Sequence, residues 1–298
     1  MASYWWLTAL LTGFVNAGYI YVNQIYKMNG MLLMLYRGFV VALIMLPAVL
    51  LSAPITDWRF YLFCILQGGI IAFNDYRFFR ATKAFGAEVS GSIHPLSVSL
   101  MFVLWLLVTP SQLWYFAEHY WRFAAVVLCL GGIIAAVLRL RNAKASRRAL
   151  GYLLPVLAVL ACGDIVNKKA MQYGAENLFS AVVYYSFVTG IVCGLCSLAV
   201  YLHRRRPLAP VFEKRNLLRG SVVAVMVIVL MIFKNVSMYL TPNPAYVSAI
   251  ILLYPLWIMG GDNIYLKLTG RKGGYATVSP NLLILLVCSV IGLILLNR

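Results

Sequence analysis

Residues 68–107 read GGIIAFNDYRFFRATKAFGAEVSGSIHPLSVSLMFVLWLL, and residues 233–259 read FKNVSMYLTPNPAYVSAIILLYPLWIM. In both, an apolar helix ends among aromatic residues, small or polar residues make a turn, and a second apolar helix carries a proline. The two stretches align at a constant offset of 160: Phe73 falls on Phe233, Pro95 on Pro255, Leu96 on Leu256 and, further along, Gly132 on Gly292. Asn74 and Asp75 land on Lys234 and Asn235. Matched Leu or Phe residues come cheaply in apolar sequence. The weight therefore rests on the two prolines and on an ungapped register across three helices, the mark of an internal duplication.

Outward from these stretches, apolar runs of about 20 residues recur along the whole chain, each long enough to cross ~30 Å of hydrocarbon. Apolar residues make up 63% of the 298 positions and charged ones only 11%, against about 25% charge in a soluble domain. The solvent for this chain is a bilayer. Breaks at polar, Pro and Gly residues predict ten transmembrane helices near residues 4–22, 31–51, 60–79, 89–108, 121–138, 151–170, 178–201, 217–240, 245–266 and 279–296. The fold class is all-α integral membrane, with one five-helix repeat over residues 1–140 and a second over 141–298. An odd number of helices per repeat makes the second enter from the opposite side, so the repeats are inverted around a central cavity.

The formal charge of +17 would suggest nucleic acid in a soluble protein. Here the basic residues cluster in short connections between apolar runs, where they orient helices, and no nucleic-acid partner is expected. Connections holding Lys27, Arg77, Arg80, Lys83, Arg139, Arg204, Arg205, Arg206 and their basic neighbours carry eighteen Lys and Arg; the opposite side has only Arg59, Arg122, Lys168, Lys169 and Arg298. That asymmetry puts the odd-numbered connections in the cytoplasm and both termini outside a cell (inner) membrane. All six cysteines lie inside apolar runs and suggest no metal site. No cofactor is expected.

Ionisable groups inside a span are expensive and mark candidate sites. Arg37 and Lys234 are cationic contacts for a substrate carboxylate or phosphate, or members of structural ion pairs, for instance Lys234 with Asp75. Asp75, His94, Asp164 and Asp262 are candidates for proton coupling or pairing, His94 because histidine titrates near neutrality. Asn16, Asn74, Asn235, Tyr76, Tyr185 and Tyr254 add neutral donors and acceptors for a substrate, and together these groups call for a polar cavity between the halves. Pro95 and Pro255 are candidate hinges. Lys168 and Lys169 are read as reaching an interface. The pairs Gly190/Gly194 and Ala245/Ala249 read as close helix contacts.

The stretch from Gly68 to Leu107, its fainter copy from Phe233 to Met259, and Arg37 within Leu35-Tyr36-Arg37-Gly38-Phe39 resemble the EamA-type signature of the drug/metabolite transporter superfamily. The resemblance covers nearly the whole chain in architecture through degenerate motifs. It implies a ten-helix carrier, a monomer or homodimer among membrane lipids, moving a small-molecule substrate by alternating access. His94 stands where many relatives have an acidic or small polar residue before the proline, and the termini lie opposite to the family's usual side. The first helix has Thr8, Thr12 and Asn16 but no carboxylate, which disfavours a lipophilic-cation pump. The expected activity is secondary transport of an amino acid or other zwitterionic or anionic metabolite, with proton coupling one option. The alternative is an intramembrane enzyme or flippase acting on a lipid-linked substrate, but the chain has no HExxH, paired-aspartate or nucleophile-base motif, and an enzyme is not expected.

Overall fold

A computed structural model describes residues 4–85, 93–141, 147–269 and 279–297. Glu88, Lys144, Arg271, Lys272 and Arg298 lie outside the described residues. Every described element is helical: α1 (Trp5–Tyr26), α2 (Gly30–Leu51), α3 (Trp58–Phe85), α4 (Ile93–Val108), α5 (Pro110–Glu118), α6 (Tyr120–Arg141), α7 (Arg147–Tyr173), α8 (Leu178–His203), α9 (Ala209–Phe212), α10 (Lys214–Leu240), α11 (Pro244–Ile251), α12 (Tyr254–Thr269) and α13 (Pro280–Leu296). Helix starts follow their sequence. The side chains of Asn29, Asn177, Asn243 and Ser279 accept from the first-turn amides of Met31, Ser180, Ala245 and Leu282, and Pro244 and Pro280 begin their helices, where no N–H is missed.

The chain is a multi-pass membrane protein. Among the described residues, six segments are long and apolar enough to cross a bilayer: Gly30–Leu51, Tyr120–Arg139, Gly151–Tyr173, Leu178–His203, Lys214–Leu240 and Pro244–Ile264. The pair His94–Val108 and Pro110–Glu118, bent by 99°, makes a seventh if it crosses as one broken span. Helices α1 and α3 have the length but are interrupted by polar groups, Thr8, Thr12 and Asn16 in one and Asn74, Asp75, Arg77 and Arg80 in the other; α13 has 17 residues. Large apolar side chains stand exposed along the outer helices, Leu51 at 89%, Leu128 at 75% and Ile284 at 60%. Lipid tails cover such a surface without cost, whereas a soluble protein rarely tolerates it.

Packing is set by small residues at crossings. Helix α2 lies against α8, where a Cβ at Gly38 would stand 2.3 Å from the Cα of Gly194. Only glycine permits that approach, which agrees with the close contact expected of Gly190 and Gly194. Ala245 and Ala249 are likewise fully buried on α11. Helix α3 packs on α7 and α8; α10 packs on α1 and α2; α4 packs on α7 and α11; α11 and α12 pack on α1; and α6 pairs with α13. At that last crossing a Cβ on Gly132 would meet the Ser289 hydroxyl at 2.3 Å, and one on Gly292 would meet the Cys129 sulfur at 2.8 Å.

Two interruptions shape the interior. At Thr109 the chain turns sharply between α4 and α5. Between α11 and α12 the helix opens at Leu252 and Leu253, because the residue that would donate to the Ile251 carbonyl is Pro255, which has no N–H. Gly13 of α1 packs against that carbonyl, its would-be Cβ 3.4 Å from the oxygen. The sequence reading ran residues 245–266 as one helix; the structure divides it in two, with Pro255 in the first turn of the second piece.

Candidate functional site

Four of the ionisable residues singled out from sequence form two ion pairs deep in the bundle. Arg37 Nη1 of α2 donates to Asp75 Oδ2 of α3 at 2.7 Å. Lys234 Nζ of α10 donates to Asp164 Oδ1 of α7 at 2.6 Å, and Ser248 Oγ of α11 donates to Asp164 Oδ2 at 2.5 Å. Lys234 therefore has a carboxylate partner, as the ion-pair reading required, but the partner is Asp164 and not Asp75. The physical reason is packing: α3 lies on α7 and α8 whereas α10 lies on α1 and α2, so the helices carrying Asp75 and Lys234 part from one another.

The pairs are interior but not sealed. Between 16% and 25% of each of the four side chains stays accessible, so space for water-sized molecules adjoins them. Tyr185, only 2% exposed, lies within electrostatic reach of both Arg37 and Asp164. Around them, Asn74 Oδ1, both side-chain polar atoms of Asn235, Asn167 Oδ1 and Arg37 Nε are buried without a protein hydrogen-bond partner. Unsatisfied groups in this number mark a place where solvent or a polar ligand completes the bonding.

The other candidates are distributed differently. Asn16 is half-buried on α1, on the helix tied to α10 by the bond from Ser237 Oγ to Thr8 Oγ1 at 2.7 Å. Tyr254 is half-buried at the first residue after the helix break, with Pro255 beside it. His94 is half-buried in the first turn of α4 with its ring 5.5 Å from that of Phe78, and Pro95 follows it in the same turn. Asp262 is exposed on α12, where the Tyr21 hydroxyl donates to it, and is not brought to the ion pairs. Tyr76 turns away from its neighbour Asp75, and its hydroxyl accepts from Arg80 and Arg204.

Sequence reasoning missed two members of the interior. Ser248 carried no signal beyond its place in the small-residue run PAYVSAII. Lys168, expected at an interface, is only 4% exposed, and its ammonium donates to the carbonyls of Met238 at 2.6 Å and Tyr239 at 3.1 Å. These are last-turn carbonyls of α10, which lack helical partners and carry the negative end of the helix dipole. Lys169 instead places its ammonium over the Trp105 ring at 5.2 Å. The third ion pair among the described residues, Asp57 with Arg59, is at the surface, where the Arg59 hydrogen bonds hold the Asp57 carboxyl below the usual carboxylate range.

No protein-family model matches this chain, and no curated protein matches it. A solved structure described only as "Crystal structure of protein" matches it over 100% of this chain and 98% of that one, at 15% identity and a TM-score of 0.64. At that identity the likeness shows the fold alone.

Proposed function

We propose that this protein is a secondary transporter of a small zwitterionic metabolite, such as an amino acid, working by alternating access in the cell membrane. The observation that carries the reading is the net-neutral pair of ion pairs, Arg37 with Asp75 and Lys234 with Asp164, partly accessible and set beside a broken helix. A zwitterion inserts into such a pair by giving its carboxylate to the cation and its ammonium to the aspartate, leaving no charge unpaired. A simple anion or cation strands one protein charge, and breaking a buried pair costs about 3–5 kcal/mol. The sequence left zwitterionic and anionic metabolites open; the neutrality of the two pairs favours the zwitterion.

Ten spans in two inverted five-helix repeats, as in the EamA-type drug/metabolite transporters that the sequence resembles, give this chemistry its setting. Helices α1, α3 and α13 complete the count, the first two polar because they face the interior. The inversion is supported by two contacts that exchange under the 160-residue offset: Gly132 against Ser289 becomes Gly292 against Cys129. Helix neighbours exchange in the same way, α3 with α7 against α10 with α1, and α3 with α8 against α10 with α2. Rocking of the halves then exposes the pairs to alternate sides, with the opening at Leu252 and Leu253 as the compliant point.

Proteoliposomes loaded through a gradient test the reading. Saturable uptake of a neutral amino acid, competed by other zwitterions and not by simple cations, and lost in Arg37→Gln and Lys234→Gln, is the expected result. Uptake preferring simple cations, or conversion of a lipid by the purified protein without any uptake, overturns it.

A further inference from the structure

One basic cluster is unused by the ion pairs. The start of α2, the end of α3 and the segment leaving α8 enclose a half-open cleft of about 340 Å³, on the side that carries most basic connections. Three arginines line it, Arg80 from α3 and Arg204 and Arg206 from the end of α8, and no Asp or Glu does. Arg80 Nη1 donates to the Tyr76 hydroxyl at 3.2 Å, and Arg204 Nη2 donates to the same oxygen. Both guanidinium groups also stand over the Tyr76 ring, at 5.6 and 5.9 Å.

Among the described residues, none of these three arginines has a carboxylate within ion-pair distance, whereas Arg37, Arg59 and Lys234 each do. Two cations that converge on one neutral oxygen repel each other, and an anion between them relieves the repulsion. The backbone presents them together: Arg205 adopts the left-handed conformation, φ 49°, at the end of α8, and its neighbours on both sides line the cleft while Arg205 does not. The far wall adds to the field. The positive end of α2 opens there at Asn29 and Gly30, and Gly30 packs so tightly on Phe79 that a Cβ would stand 2.9 Å from its ring.

We propose that this cleft binds a phosphate group, either of a soluble phosphate ester or of an anionic phospholipid headgroup. Three guanidinium groups approaching from two elements need an acceptor with at least three oxygens and more than one negative charge in reach. A carboxylate offers two oxygens and one charge, while a phosphate monoester offers three oxygens and nearly two charges, and a diester headgroup brings further ester oxygens. The volume suits a headgroup or small ester. The proposal stands on the cleft alone and does not require that the protein transports anything.

The test uses the full chain purified in neutral detergent. Thermal unfolding is followed with inorganic phosphate against chloride at matched ionic strength, and in a second arm in phosphatidylcholine nanodiscs with and without phosphatidylglycerol. Wild type is compared with Arg80→Gln/Arg204→Gln and with Arg206→Gln, whose side chain has no hydrogen bond among the described residues, so that its loss gives no reason to unfold. The expected result is stabilisation of wild type that is absent in the double variant and needs about tenfold more ligand in Arg206→Gln, as loss of one charge-assisted contact implies. A response to inorganic phosphate alone assigns a soluble ester; a response to phosphatidylglycerol alone assigns a lipid headgroup; a response to both keeps the shared phosphate chemistry. If neither arm separates wild type from Arg206→Gln, or chloride stabilises as well as phosphate, the cleft is not a phosphate site.

Discussion

Replacing Asp164 with Asn removes a charge from the centre of the molecule while keeping its shape. The Asn side chain still offers an oxygen to Lys234 or Ser248, so the change isolates the electrostatics of a pair closed at 2.6 Å. At an effective dielectric of ~20 the gross attraction across that distance is about 6 kcal/mol. Desolvation of both groups offsets much of it, and removing one partner of a buried pair costs about 3–5 kcal/mol. The accessibility of 25% and 16% for the two side chains puts the loss at the low end, about 3 kcal/mol. For a chain of this length each kcal/mol lowers the melting temperature by about 2–4 °C, so Asp164→Asn should melt roughly 6–12 °C below wild type by tryptophan fluorescence in detergent. Lys234→Gln should do the same. The double variant strands no charge and should recover to within about 1 kcal/mol of wild type, a coupling well above the additivity expected of independent sites. Recovery of stability without recovery of amino-acid uptake would assign the pair to substrate handling as well as to the fold. Strictly additive losses in the double variant, or a melting temperature unchanged in Asp164→Asn, would refute the reasoning.

Three further outcomes follow from contacts in the bundle. Gly38→Ala sets a Cβ against the backbone of Gly194, which cannot rotate away, and should lose at least 3 kcal/mol or the fold itself; Gly131→Ala meets nothing within 4 Å and should gain up to ~1 kcal/mol from helix propensity. The two melting temperatures measured together check both signs. Lys168→Glu aims a carboxylate at the carbonyls of Met238 and Tyr239 and should abolish monodisperse protein on size exclusion, while Lys168→Arg, which keeps the charge and donors, should not. A reporter active only in the cytoplasm, fused after Arg298, should stay silent, and a strong signal there reverses the orientation read from the basic connections.

How much of this was legible depended on whether a residue's partner lay in sequence or in space. Apolar runs fixed where most helices lie, and Asn29, Asn177, Asn243 and Ser279 begin theirs as capping residues should. The charged residues within the spans were also legible, because a charge in hydrocarbon has to be accounted for. Their pairing was not: the alignment of the two halves suggested Asp75 with Lys234, yet α3 and α10 pack on different helices, and each cation found the carboxylate of a different neighbour. Lys168 and Lys169 read identically in sequence; one caps a helix end and the other lies over an indole, a difference made by α10 and α4 alone. The bend at Thr109 had a signal in Thr109-Pro110, a helix-starting pair. The break at Leu252 and Leu253 had one in Pro255, four residues after the carbonyl it leaves open.

The distribution of charge gives the proposed mechanism its constraint. Among the described residues, Arg37 and Lys234 are matched by Asp75 and Asp164, while Lys168, the other buried cation, is held by the carbonyls that end α10. Two neutral ion pairs can be presented to either side of the membrane without carrying net charge through the hydrocarbon, whereas an unmatched cation at the moving site would add a penalty of several kcal/mol to every movement of the halves. A zwitterionic cargo preserves that neutrality when it is bound as well as when it is absent. A carrier built this way therefore moves its halves at similar electrostatic cost loaded or empty, and its uptake of zwitterions should respond weakly to membrane potential. Uptake that rises steeply with an imposed potential would require a net charge to cross with the cargo, and would replace the zwitterion exchange with a coupled ion.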